Sequence, residues 1–456
     1  MIALACFSLY ATLSLRLHAR MLTTGYDLGI FEQGISAYAQ GRLPTSELKA
    51  HAFPLLGDHF SPILATLAPF YRLWPTPETL LLAQAALLAV AAVPLALWGW
   101  EVAARRGALV TGLGYGASWG IAQAVGFDFH EICFAVPLMS CAVTALGNER
   151  WHAAALWASP LVLVKEDLGL TVGAVGAYIA WRGSRRLGIT VALCGLAGSL
   201  VAMFLVIPAF NPGGVFTYYA SVSDGEDGDR LELLFRYTLG LVTPAIKMAT
   251  LALLLAPTAF LALRSPLVLL AVPTLAWRFA SSNAFHWGPQ FHYSAVLMPV
   301  MFGAFVHGLE KYRAAGLPKP VARGLLICSL VTLCTVPFFP FSKLATGDLW
   351  GPSARVDTAH RILAEIPDGS TVVASNRLVP QLTKRCVVMV IGWPRNRPDP
   401  DWVVVDTATP QGWPTSGENE AAEIQKYRAR RYEKVAEEDG YVLLRKPESV
   451  DGEIAG

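Results

Sequence analysis

Long apolar runs return along this chain, at roughly 1–20, 78–99, 107–126, 132–147, 152–164, 168–181, 187–209, 239–263, 265–279, 293–309 and 321–340. A helix needs about 20 apolar residues to cross a bilayer, with about 17 as the lower end. The repetition therefore points to an all-α polytopic membrane domain of about eleven transmembrane helices. Charged residues make up only 15% of the chain, against roughly 25% in soluble domains. Runs 152–164 and 265–279 fall short of a full crossing, so some pairs read equally as short hairpins or re-entrant segments. Met1 leads straight into apolar residues without a basic stretch, so the first run reads as an anchor.

Lys and Arg set the orientation. With a cytoplasmic N-terminus, the inner loops carry Arg105, Arg106, Arg150, Arg182, Arg185, Arg186, Arg264 and Lys311, while the outer loops hold Asp, Glu and His. Eleven spans place the C-terminal region outside the cell membrane. There, over 341–456, the apolar runs shrink to "TVVAS", "CVVMVIG", "DWVVVD" and "GYVLLRK", which read as strands. "ARVDTAHRILAEIP" and "ENEAAEIQKYRARRY" read as amphipathic helices between them. The expected division is a membrane domain over 1–340, with a long outer loop at about 21–77, and a small soluble α/β domain over 341–456. A formal net charge of +2 gives no case for nucleic acid. The seven cysteines contain no CxxC or His-spaced pair and read as packing residues.

On this topology the polar residues gather on one face. Asp27 and Glu32 follow the first run, and Asp58 and His59 ("LGDHFSP") lie later in the same loop. Asp128, His130 and Glu131 ("GFDFHEI"), Lys165 with Glu166 and Asp167 ("LVKEDLG"), and His286 and His292 ("FHWGPQFHYSA") complete the set. Charges at span ends on one face suggest a reaction chamber at the membrane–water boundary; a transport path more often places them at mid-membrane. Plainer readings stand beside this. Asp27 suits the N-cap of a juxtamembrane helix, Lys165 and Glu166 suit a mutually neutralised pair, and His292-Tyr293 suits an interfacial belt. Asp128 and His130 share a side if extended, Asp128 and Glu131 if helical; either arrangement could hold a divalent metal. Glu32 is expected to face water or pair with a loop residue. The amphipathic stretches of the long loop are expected to lie along the membrane surface.

Taken together, "YDLGIFEQ", "GDHFSPI", "GFDFHE", "KEDLGL" and "HYSA" resemble a bacterial polytopic membrane family of the domain-of-unknown-function 2079 type, related to the GT-C class of integral-membrane glycosyltransferases. The match covers roughly 20–310, and "VVASNRLVPQLTKR" with "DWVVVD" resembles that family's tail domain. The resemblance implies transfer of a sugar from a polyprenyl-phosphate carrier to an extracytoplasmic acceptor. It implies Asp27 as general base or metal ligand, with Asp128 or Glu131 as the second acid. Lys165 and His292 become candidates for the carrier phosphate, with Asp58 and His59 near the substrate. A metal, if bound, would fall to Asp27, Asp128 and His130. Related transferases often have Arg-Tyr where this chain has His292-Tyr293. A transporter or lipid flippase, and a non-catalytic membrane scaffold, are the alternative readings.

Overall fold

The computed structural model describes residues 1–218, 238–393 and 399–447. They fall into two compact units that alternate along the chain. The first comprises Met1–Ser14, Leu56–Thr66 and Leu81–Thr346; the second comprises Leu15–Leu55, Leu67–Leu80 and Gly347–Gly456.

The first unit is helical. Among the described residues, four helices are long and apolar enough to cross a membrane: Ile2–Ala19, Pro77–Gly116, Arg185–Phe210 and Pro318–Phe338. Ile132–Gly147, Ala245–Thr258 and Pro266–Ala280 are shorter apolar helices. One bend falls between two expected runs, 78–99 and 107–126, and another breaks an expected run. The backbone turns at Ala103 and Ala104, where Ala104 has φ 46°, which puts Arg105 and Arg106 at a bend. The run 239–263 breaks at Ala259 and Phe260, both at positive φ. Leu168–Arg182 and Arg185–Val201 form a tight hairpin. A Cβ on Gly169 would lie 2.4 Å from the Gly195 carbonyl oxygen, and one on Gly188 would lie 2.1 Å from the Ala180 nitrogen. Small residues let helix backbones approach this closely where burial of apolar surface gives no advantage over lipid.

The second unit is built on a five-stranded sheet. Its strands are β3 (Thr371–Ala374), β4 (Val387–Val390), β5 (Trp402–Asp406), β6 (Glu433–Glu438) and β7 (Tyr441–Arg445), in the order β4-β3-β5-β7-β6. A two-residue ladder precedes them, β1 (Thr45–Ser46) against β2 (Phe53–Pro54). β3 pairs in parallel with β4 and β5, while β7 runs antiparallel to β5 and β6. Val372, Ala374, Val388, Val390 and Val404 face one core with Ile362 and Leu363 of helix Ala354–Ala364. Val373, Met389, Val403 and Val405 face the other with Ile424 and Tyr427 of helix Gly417–Ala429. Burial on both faces explains why these strands read as near-continuous apolar runs. The edge strand β6, "EKVAEE", keeps its charges in solvent, which discourages pairing with another chain.

The first core also contains Met21, Ile30 and Leu48. Residues 15–55 and 67–80 thus belong to the same compact unit as the C-terminal sheet, whose own stretch begins at Gly347. Most of the long loop is part of that unit.

Candidate functional site

In the first unit, buried charge collects where three segments meet. The chain leaves helix Trp151–Ala158, passes through the 3-10 turn Ser159–Leu163, and enters the glycine-rich hairpin at Leu168. Ser199 Oγ donates to the Glu166 carbonyl oxygen at 2.6 Å, fixing that entry. Lys165 and Glu166 form direct ion pairs with different partners. Lys165 Nζ pairs with Glu131 Oε1 at 2.9 Å, whereas Glu166 Oε1 meets His59 Nδ1 at 2.7 Å and Oε2 accepts from the Phe60 N–H at 3.1 Å. Neighbouring residues thus reach two different partner segments.

Burial raises the Glu131 carboxyl, but the nearby Lys165, His130 and His59 outweigh it and leave the pKa lowered to about 2. Burial opposes the charge on Lys165, yet Glu131, Glu166 and Asp167 hold its pKa well above the ordinary lysine value. Burial likewise opposes a charged His59, but Glu166 raises it above the usual imidazole value. Burial pushes Asp167 up to about 6, against the pull of Lys165.

His130 and His292 complete this region. Their rings stack with centroids 3.7 Å apart, and Phe127 stacks on His130 at 5.1 Å. The His130 N–H donates to Gln84 Oε1 at 3.0 Å, while Gln84 Nε2 donates to the Asp128 carbonyl at 3.1 Å. Asp128 and His130 lie in non-helical backbone, and Glu131 stands just before helix Ile132–Gly147. His292 is 6% exposed, so it is no interfacial belt residue. Burial, then His130 and Lys165, hold its imidazole well below the ordinary histidine value. Asp58 Oδ1 accepts from Tyr218, whose ring stacks on His59 at 4.4 Å.

Arg278 is a site residue the sequence reading missed. It is fully buried and donates to the carbonyls of His286 (2.8 Å), Gly288 (2.9 Å) and Tyr293 (3.3 Å), and to Ser294 Oγ (3.0 Å). A single arginine within the apolar run 265–279 was the available signal, because an ionisable residue inside such a run is costly. It braces the loop that presents His286 and His292.

Asp27 belongs to the second unit. It lies inside a single wide turn, Gly25–Gly29, and helix Ile30–Ala39 starts after it with Gly29 as its cap. Asp27 is therefore not the N-cap the sequence suggested. Asn376, just beyond β3, holds this turn: its carbonyl accepts from Gly25 N–H at 2.8 Å and its Oδ1 from Tyr26 N–H at 2.7 Å. Glu32 does not face water. It is 1% exposed and accepts from the Tyr71 hydroxyl at 2.9 Å and from the Thr383 hydroxyl. Burial raises its pKa to about 7, against the stabilising hydrogen bond from Thr383.

A family model described as predicted membrane protein (DUF2079) matches residues 17–443. The chain belongs to this family. No curated protein matches it. Among solved structures, the crystal structure of ArnT from Cupriavidus metallidurans bound to undecaprenyl phosphate is similar, with a TM-score of 0.58 and 14% identity over 98% of each chain. The DUF2079 chain therefore has an ArnT-like, mostly helical fold with a small sheet region toward its C-terminus.

Among the described residues of this DUF2079 protein, no group of three or more His, Cys, Asp or Glu side chains could hold a metal ion. Asp27 belongs to the second unit and Asp128 and His130 to the first, and they form no such group. Asp167 Oδ1 and His292 Nδ1 are among the buried polar atoms with no hydrogen-bond partner among the described residues. Native interiors seldom leave such atoms unpaired, and here they offer an acceptor or donor to an incoming group.

Proposed function

We propose that this protein is a membrane glycosyltransferase that moves a sugar from a polyprenyl-phosphate carrier to an acceptor hydroxyl on the extracytoplasmic face. One observation carries the reading. Lys165 is a mostly buried cation, 17% exposed, held charged by Glu131 at the mouth of a membrane hairpin, in a fold shared with a protein crystallised with undecaprenyl phosphate. A cation in a water-poor setting stabilises charge developing on a leaving phosphate far better than one in water.

In this reading the acceptor oxygen attacks the anomeric carbon and its proton passes to the Asp27 carboxylate. The bond from that carbon to the phosphate oxygen breaks, and the carrier phosphate leaves with the electron pair. Lys165 receives the phosphate, and His292, braced by the Arg278-held loop, donates a hydrogen bond to it. Glu131 holds Lys165 charged and positioned, while His59 and Glu166 fix the adjoining turn. Asp58 and Asp128 border the region. The single displacement inverts the anomeric centre and needs no enzyme nucleophile. The N-terminus is cytoplasmic and the C-terminal unit extracytoplasmic.

The test supplies radiolabelled polyprenyl-phosphate sugars to membranes containing the protein. Label should move to a new product, and Asp27→Asn should abolish the movement while the variant stays folded. Full transfer by a folded Asp27→Asn protein would remove Asp27 from the mechanism. Label that crosses the bilayer without forming product would instead indicate a flippase.

A further inference from the structure

The strand order of the C-terminal sheet reverses beside β3, and aromatic rings gather next to that reversal. β3 is followed by β4 on one side, whereas β5 lies on its other side and leads on toward β7 and β6. The order therefore reverses between β3 and β5. In open sheets of this kind, ligands bind outside the carboxyl ends of the strands at that reversal. Here those ends are joined by Ser375, whose hydroxyl accepts from the Asp406 N–H at 3.0 Å and donates to Glu420 at 2.7 Å. Asn376 follows and clamps Gly25 and Tyr26 across the opening. Its Nδ2 also donates to Gln411 Oε1 and to the Trp413 carbonyl, both at 3.0 Å.

Around this clamp stand three aromatic rings. Tyr26 meets Trp413 edge-on at 5.9 Å, and its hydroxyl accepts from Trp393 Nε1 at 3.0 Å. Lys49 lies over the Tyr26 ring at 5.3 Å. The tryptophans are 43% and 57% exposed, and Asp27 is the next residue after Tyr26.

We propose that this mouth, with Tyr26 between Trp393 and Trp413, binds a pyranose of the acceptor and brings its hydroxyl to Asp27. The acceptor role rests on the transferase reading above; sugar binding itself does not. The C–H face of a pyranose is apolar and packs on the electron-rich face of an aromatic ring, while its hydroxyls require polar partners. Gln411 and Lys49 place an amide and an ammonium group beside the rings. A lipid surface would favour a different neighbourhood, and the same unit contains one: Phe70, Leu73 and Trp74, exposed together within a single short segment. By contrast, Trp413 sits in the polar stretch "TATPQGWPTSGE" without aliphatic companions.

The experiment uses the full chain in nanodiscs and saturation-transfer NMR with four neutral probes: the methyl glycosides of glucose, galactose, mannose and N-acetylglucosamine. At least one should receive saturation on its ring protons. The signal should fall about tenfold in the Trp393→Ala/Trp413→Ala double variant, the order expected for losing two aromatic faces. It should persist in Phe70→Ala/Trp74→Ala, which also controls for folding. No signal from any probe, or a signal unchanged in the tryptophan double variant, overturns the proposal. So does fluorescence quenching of Trp393 and Trp413 by brominated acyl chains, which would place them in lipid. Sugar binding without any transfer would sink the transferase reading alone.

Discussion

The two regions rich in polar groups solve opposite problems. Around Lys165 the partners are ions: Glu131, Glu166 and His59 neutralise charge that burial would otherwise expel. Around Asp27 the turn is held by neutral amides, two backbone N–H groups on one asparagine. An ion pair away from water is strong only while both members are present. An amide clamp loses one hydrogen bond at a time. The first region is thus built to keep a cation charged in a poor solvent, the second to hold a carboxylate in place at a domain edge.

That contrast is most sharply broken at Lys165. Lys165→Met should lower stability by about 3–5 kcal/mol, because it strands Glu131. Adding Glu131→Gln should restore much of the loss, as read by thermal unfolding in detergent. A single variant no less stable than the double would mean that the pair is not closed off from water.

Glu32 lies between these extremes, a buried acid held by hydroxyls. Its folded pKa is about 7 against an ordinary 4.5, so the native state retains its proton where the unfolded chain has lost it. The contribution is complete below about pH 4.5 and falls away as pH climbs through 7. The loss amounts to about 3 kcal/mol. Glu32→Gln should flatten the stability profile over this window; an unaltered slope would show that Glu32 is solvated.

Smaller effects belong to the Asp27 turn. A Cβ on Gly25 would fall 2.4 Å from Val379 Cβ, so Gly25→Ala should cost about 1–3 kcal/mol by overpacking. Asn376→Ala strands the Tyr26 N–H and should cost about 1–3 kcal/mol, with faster amide exchange confined to 25–30. If exchange spread through the whole sheet, Asn376 would be a core residue of that unit and not a clamp on the turn.

Much of this was legible in the chain, and the omissions have physical causes. "TVVAS", "CVVMVIG", "DWVVVD" and "GYVLLRK" gave four of the five large-sheet strands, because burial on both faces leaves an apolar signature. "EKVAEE" escaped because an edge strand keeps no such pattern. The KED and HE motifs were visible, but not their pairing, since Lys165 and Glu131 are brought together by helix packing. Glu32 was expected to face water or pair with a loop residue; it does pair with Tyr71 of the 21–77 loop, but its burial was hidden because its other partner, Thr383, lies 351 positions away. The allegiance of 15–55 was hidden for the same reason: Ile30 and Leu48 look like loop residues until the sheet they cover is known.

The most direct measurement is binding of undecaprenyl phosphate to the purified protein, followed by native mass spectrometry. Wild type should retain the lipid. The Lys165→Met/Glu131→Gln double variant, with its charge pair removed together, should lose at least about tenfold in affinity, the value of one charge-assisted contact. Equal binding by a folded double variant would contradict the assignment of Lys165 to the carrier phosphate, and with it the account of the buried ion network.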